Sequence, residues 1–94
     1  IKINEMIQFL YQAKLTAMTQ KTQVDVLFSK QNIVYRWNQS KETLQLDDND
    51  SFESHQLSFN ENGNIQGAKT LIYYCGSQRY EFVYQIGSGT FYVR

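Results

Sequence analysis

The chain has 94 residues with nine basic and nine acidic side chains, so its formal charge is zero. That balance argues against a whole-domain electrostatic grip on nucleic acid, which needs a clear basic excess, and leaves only a local patch open. One cysteine and no proline exclude an internal disulfide and a polyproline ligand, and no stretch of these residues approaches the roughly 20 apolar residues of a membrane span or reads as a secretory signal. The length fits one domain, residues 1–94, and 41% apolar residues suffice for one modest core.

Residues 1–22 contain no Gly and no Pro. Ile3, Met6, Ile7, Leu10, Ala13, Ala17 and Met18 recur in steps of three and four, which predicts an amphipathic helix with these side chains on its core face. Glu5, Gln8, Gln12, Thr16 and Thr19 fall on the opposite side. Lys14 lies inside the stripe, where its stem can pack while its ammonium reaches water. Ile1, Phe9 and Leu15 stand off the stripe and are candidates for contact with another subunit. The helical pattern is already under way at Ile1 without a capping residue, so the chain is expected to be a piece of a longer one, with 1–22 the second half of its helix.

Residues 23–94 read as short strands, in keeping with seven Tyr and six Phe. Val24, Val26 and Phe28 alternate with Asp25, Leu27 and Ser29. Residues 29–32 make a turn into a second strand with Ile33, Tyr35 and Trp37 on one face. Residues 38–42 read as a polar loop, followed by a short strand through Leu44 and Leu46. Residues 47–55 are the most polar stretch and are expected to form an exposed loop with Phe52 tucked inward. Its Asp47, Asp48, Asp50 and Glu53 are further subunit-contact candidates. Leu57 and Phe59 mark a strand, and Asn62-Gly63 is a hairpin signal because both residues tolerate positive φ. After a break at Gly67, strands at 70–75, 79–86 and 90–93 form a meander joined at Gly76-Ser77 and Gly87-Ser88-Gly89. The helix stripe is the natural cover for the apolar face of this sheet.

The chemistry-bearing residues are few. His55 is the lone histidine, and Cys75 sits in a strand as a small hydrophobe, so a Cys/His nucleophile pair is not expected. Asp47, Asn49 and Ser51 have the oxygen spacing of a calcium loop, but Phe52 stands where that loop needs Gly and Ser58 where it needs Glu. Gly87-Ser88-Gly89 precedes a strand, not a helix N-terminus, which favours a hairpin turn over a phosphate cradle. Arg36-Trp37 and Arg79-Tyr80 interleave basic and aromatic groups, a pattern that can hold DNA, although in strands the two members of each pair point to opposite faces. No catalytic set, metal site or cofactor site is expected.

The order of elements resembles a known family. The helix exit Phe9-Leu10-Tyr11-Gln12-Ala13-Lys14-Leu15 runs through Gln20-Lys21-Thr22-Gln23 into the strand Val24-Asp25-Val26. Later come Phe59-Asn60-Glu61-Asn62-Gly63 and Ile86-Gly87-Ser88-Gly89. Together these resemble the soluble part of type IV pilin-like proteins, in particular the ComGD-type minor pilins of Gram-positive competence pili and the H-type pseudopilins of type II secretion. The resemblance implies an α+β fold with a long N-terminal helix packed on a small antiparallel sheet. It implies a structural, non-enzymatic subunit of a competence pilus used for DNA uptake in transformation. It further implies a leader cut by a prepilin peptidase on the full-length chain, and membrane attachment through an upstream segment before assembly into a cell-surface pilus. The partners implied are other minor and major pilins. A type II secretion pseudopilin and a small cytosolic α+β ligand-binding domain are the alternatives.

Overall fold

The computed structural model describes residues 2–53, 55–65, 69–85 and 87–94. Among them, helix α1 (Lys2–Gln20) is followed by β1 (Val24–Phe28), β2 (Asn32–Trp37), β3 (Ser40–Gln45), β4 (Asp50–Phe52), β5 (His55–Phe59), β6 (Lys69–Cys75), β7 (Gln78–Tyr84) and β8 (Phe91–Val93). The arrangement is α+β. Where the sequence predicts a single small sheet, the strands form two antiparallel four-stranded sheets, ordered β3-β2-β1-β5 and β4-β6-β7-β8. Ile1, the break at Gly67 and the strand end at Ile86 lie outside the described residues.

Helix α1 buries Met6, Leu10, Ala13 and Ala17 completely, with Ile3 and Ile7 packed at the margin of the same core. Three expectations change here. Met18 is 42% exposed rather than in the core. It follows Ala17 by one residue, about 100° round the helix, and its thioether lies beside Gly63. Phe9 does not face away from its own domain: its ring meets Tyr35 at 4.9 Å, because it stands three and four residues from Met6 and Ala13 at the edge of the stripe. Thr16, assigned to the polar face, is 7% exposed. Its Oγ1 donates to the Gln12 carbonyl at 2.9 Å, so the hydroxyl is satisfied within the helix and can be buried.

The helix ends two residues earlier than expected, at a backbone signal that carries no glycine. Lys21 adopts φ 49°, and the Thr22 amide donates to the Ala17 carbonyl at 3.2 Å, which is the six-to-one bond of a Schellman cap.

In the first sheet, β1 alternates buried and half-buried residues along its length, and Ile33, Tyr35, Leu57 and Phe59 join its apolar face. The expected loop at 38–42 shrinks to Asn38-Gln39, with Asn38 at φ 51° and Trp37 paired with Ser40. Within the expected loop at 47–55, β4 pairs with β6, Asp50 opposite Cys75 and Phe52 opposite Tyr73. Phe52 anchors it, packing on Phe28, Tyr73 and Phe82 at 5.0–5.6 Å. A strand's period of two then turns Asp50 inward, and this subunit-contact candidate is only 5% exposed. The Asn62-Gly63 turn does not close a hairpin. Strand β5 pairs with β1, and after the turn the chain crosses to the second sheet.

One junction joins helix and turns. The Lys14 ammonium donates to the Gly63 carbonyl at 2.9 Å. Gly63 has φ 79°, and its carbonyl oxygen lies 1.7 Å from where a side chain on Gly89 would begin. The Ile65 amide donates to the Ser88 carbonyl at 3.1 Å beside it.

Three substitutions test this framework. Lys21→Gly should stabilise the chain by about 1 kcal/mol by relieving the left-handed backbone, read as a higher urea midpoint. Gly89→Ala should cost about 3 kcal/mol, since the atom it would meet is backbone. Gly76→Ala, in open space at φ 60°, should cost only the conformational penalty of about 1–2 kcal/mol. Equal losses at the two glycines would refute the close approach at Gly89.

Candidate functional site

The outward side of α1 forms a ridge between two grooves. On one flank, Ile7, Gln8 and Tyr11 face Gly89, Thr90, Phe91, Tyr92 and Val93 across a groove of about 570 Å³. On the other, Asn4, Glu5, Gln8, Phe9 and Gln12 face Leu44 across a groove of about 550 Å³. Gln8 lines both. Tyr11 and Tyr92, 49% and 45% exposed, both line the first groove. Among the described residues, the lining of that groove includes no charged side chain. Leu15 is half-exposed and stands outside the core cluster, so this candidate contact residue remains on the surface.

The remaining contact candidates are placed differently. Asp47 and Asp48 are exposed and border a polar hollow with Lys30 and Gln31. Glu53 is exposed and accepts a hydrogen bond from the Tyr74 hydroxyl at 3.3 Å. Asp50 leaves this surface for the interior. Its Oδ2 and the hydroxyls of Tyr73 and Tyr84 are buried without a hydrogen-bond partner among the described residues. Burial pushes both tyrosine hydroxyls well above the usual phenol range.

The candidates for DNA contact are not brought together. Arg36 belongs to the first sheet and Arg79 to the second. Trp37 turns to the other face of β2 from Arg36 and stacks on Tyr35 at 5.6 Å; Tyr80 stacks on Tyr73 at 5.9 Å. Each arginine has an acidic neighbour. Arg79 pairs with Glu81 at 3.0 Å, and Arg94 reaches the same carboxylate at 2.6 Å. These two arginines, Arg94 foremost, hold the Glu81 carboxyl below the usual range. Arg36 stands directly across the ladder from Asp25.

Asp25 is the best-defined titrating group on the outer face of the first sheet. Its Oδ1 accepts from Gln23 Nε2 at 2.8 Å and from Ser58 Oγ at 2.7 Å. These bonds, with a smaller contribution from Arg36, hold its carboxyl below the ordinary value against partial burial. Cys75 is free and half-buried in β6, and His55 lies in β5 of the other sheet. Among the described residues, no group of three or more His, Cys, Asp or Glu side chains is placed to hold a metal ion. No described helix is long and apolar enough to cross a membrane.

The pattern of the sequence did not single out Tyr11, Tyr92 or Gln8 as groove residues. The available signal was Tyr11 one turn beyond Ile7 on the flank of the stripe.

A lowered carboxyl stabilises the fold above its unfolded value, about 3.9 for Asp, and that contribution is lost as pH falls through the lower folded value. Ser58→Ala should therefore raise the Asp25 titration toward the ordinary range, followed by NMR. The stability gap between variant and parent should be open at neutral pH and close under acid conditions below about pH 4. An unchanged Asp25 titration would show that Ser58 contributes nothing.

Comparison of the chain with protein-family models, with curated proteins and with solved structures gives no match.

Proposed function

We propose that this chain is a structural subunit of pilin type, a minor pilin of a Gram-positive competence pilus that serves DNA uptake in transformation. The observation that carries the reading is the division of α1. One stripe is consumed by the chain's own sheets, while the other side stands out as a ridge between two grooves, with Leu15 beyond the core. A helix that only covered a sheet would gain nothing from flanking grooves of this size. A helix that also packs against neighbouring subunits needs a shaped outer surface of this kind.

On this reading the helix ridge and the exposed acidic residues Asp47, Asp48 and Glu53 face other minor and major pilins. The membrane anchor and the prepilin-peptidase site belong to an apolar segment of the full-length chain, and the mature subunit resides on the cell surface. The subunit acts by assembly, not catalysis. Direct DNA contact is secondary, because Arg36 and Arg79 lie on separate sheets beside acidic groups.

The test uses the full-length protein in its own bacterium. Deleting the gene should abolish transformation. Leu15→Glu should lower transformation at least tenfold and remove crosslinks to partner pilins, while changing the stability of the purified domain by no more than about 0.5 kcal/mol. Normal transformation with a loss of extracellular enzyme secretion would move the subunit to a type II secretion machine. Absence of both phenotypes on deletion would overturn the pilin reading.

A further inference from the structure

The sequence holds one Asn-Gly pair, Asn62-Gly63. It lies in the tight loop that delivers the Gly63 carbonyl to Lys14 and Gly89. An Asn followed by Gly is the most reactive setting for loss of the side-chain amide, because a glycine leaves its own backbone nitrogen unhindered. Here the glycine is required on other grounds. Its φ is 79°, and a side chain on it would begin 2.8 Å from the Met18 sulfur and 3.1 Å from the Lys14 ammonium. The packing that closes the junction therefore installs a reactive pair within it.

The reaction has definite steps. The Gly63 N–H gives its proton to solvent base, and the nitrogen attacks Cγ of Asn62. The bond from Cγ to the side-chain nitrogen breaks, ammonia leaves, and a cyclic succinimide remains. Water then opens the ring at either carbonyl, to aspartate or to isoaspartate, with no oxidation or reduction. Isoaspartate routes the main chain through Cβ and so lengthens it by one carbon.

The folded geometry opposes the first step. The Asn62 side chain is exposed, but Gly63 is buried. The Gly63 N–H donates to the Asn60 carbonyl at 2.8 Å. Asn60 Oδ1 accepts from the backbone amides of Asn62 and Asn64 at 2.9 and 3.1 Å, and the Asn60 amide donates to the Asn64 carbonyl at 2.9 Å. A peptide unit is planar, so carrying the Gly63 nitrogen to Cγ requires rotation about the Cα–C bond of Asn62, which breaks the bond to Asn60. On the other side of Gly63, Lys14 and Gly89 hold the carbonyl in place. The nitrogen is released only when the turn and the junction open together.

We propose that Asn62 is a deamidation site gated by this junction. It is shut while Lys14 and Gly89 hold Gly63, it reacts when the junction opens locally, and the isoaspartate product, with its longer backbone, keeps the junction from closing again. Asn62 thus records openings of the contact between helix and sheets and makes them permanent. The inference does not depend on the pilin reading: it rests on the Asn-Gly pair, the bonds of the turn and the packing around Gly63.

The test holds the purified protein in mildly alkaline buffer and follows Asn62 by the mass of its proteolytic peptide and by labelling with an isoaspartate methyltransferase. A synthetic peptide of residues 58–65 is the open reference. The folded chain should deamidate at least tenfold more slowly than the peptide, and hydrogen exchange at the Gly63 amide should be slowed by a similar factor. Lys14→Met, which keeps the stem and removes the ammonium, should speed the reaction at least threefold, whereas Ile33→Val, in the core of the first sheet, should leave it unchanged. The purified isoaspartate form should lose exchange protection at the Ile65 amide, which donates to the Ser88 carbonyl at 3.1 Å. Asn62→Asp, which adds the charge without the extra carbon, should keep that protection. Equal rates in folded chain and peptide, equal acceleration by the two substitutions, or a protected Ile65 amide in the isoaspartate form would each overturn the proposal. If Lys14→Met unfolds, the parent decides: Gly63 exchange and Asn62 deamidation slowed by unrelated factors would overturn the gate.

Discussion

The close approach of two turns beneath Lys14 is the constraint that the rest of the molecule depends on. The turn around Gly63 passes the chain from one sheet to the other, and the turn around Gly89 leads into β8. They meet with no room for a side chain at Gly89, and the helix contributes an ammonium that closes the contact on the Gly63 carbonyl. Helix, first sheet and second sheet are thus referred to one point. A charged donor to a backbone carbonyl is among the stronger neutral-acceptor bonds, and here it is partly sheltered. The position of Lys14 within an apolar stripe follows from this: its four-carbon stem packs with the stripe, and its head is used where the stripe ends.

Much of the fold is legible in the sequence because most of its elements obey a period. The helix stripe through Met6, Leu10, Ala13 and Ala17 and the alternation of Val24, Val26 and Phe28 reappear as buried faces. What escaped was decided by distant parts of the chain. Strand β4 is three residues in a run of acids, and it exists because Phe52 finds Phe28, Tyr73 and Phe82. No local pattern announces that. Thr16 was hidden by its polarity, which the Gln12 carbonyl removes. Phe9 is misread by a strict stripe because Tyr35 comes to meet it from another element. The grooves beside the helix were illegible for the same reason: each needs α1 and a strand far along the chain to be seen together.

The three arginines are met by local acids rather than gathered in a patch. Arg36 faces Asp25, Glu81 holds both Arg79 and Arg94, and the groove along β8 has no charged side chain among its described lining residues. Arginines neutralised in this way add little long-range steering for a polyanionic partner. Recognition at the helix ridge then rests on shape and apolar burial.

The order in which the chain visits its two sheets has a kinetic meaning. It leaves the first sheet after β3, gives β4 to the second, returns with β5 beside β1, and leaves again for β6. Neither sheet is a contiguous stretch of chain, because β4 of the second sheet lies between β3 and β5 of the first. The β5–β1 pairing spans Val24 to Phe59, and β4 must wait for β6 some twenty residues later. Loop closure at these separations has to precede its reward, which slows folding relative to a chain of the same length built from local contacts. A nascent chain holds all four strands of the first sheet once β5 has emerged, but Phe28 and Phe59 wait for the second sheet to form before Phe52 and Tyr84 cover them, a window in which the order of synthesis, rather than the final structure, sets its vulnerability.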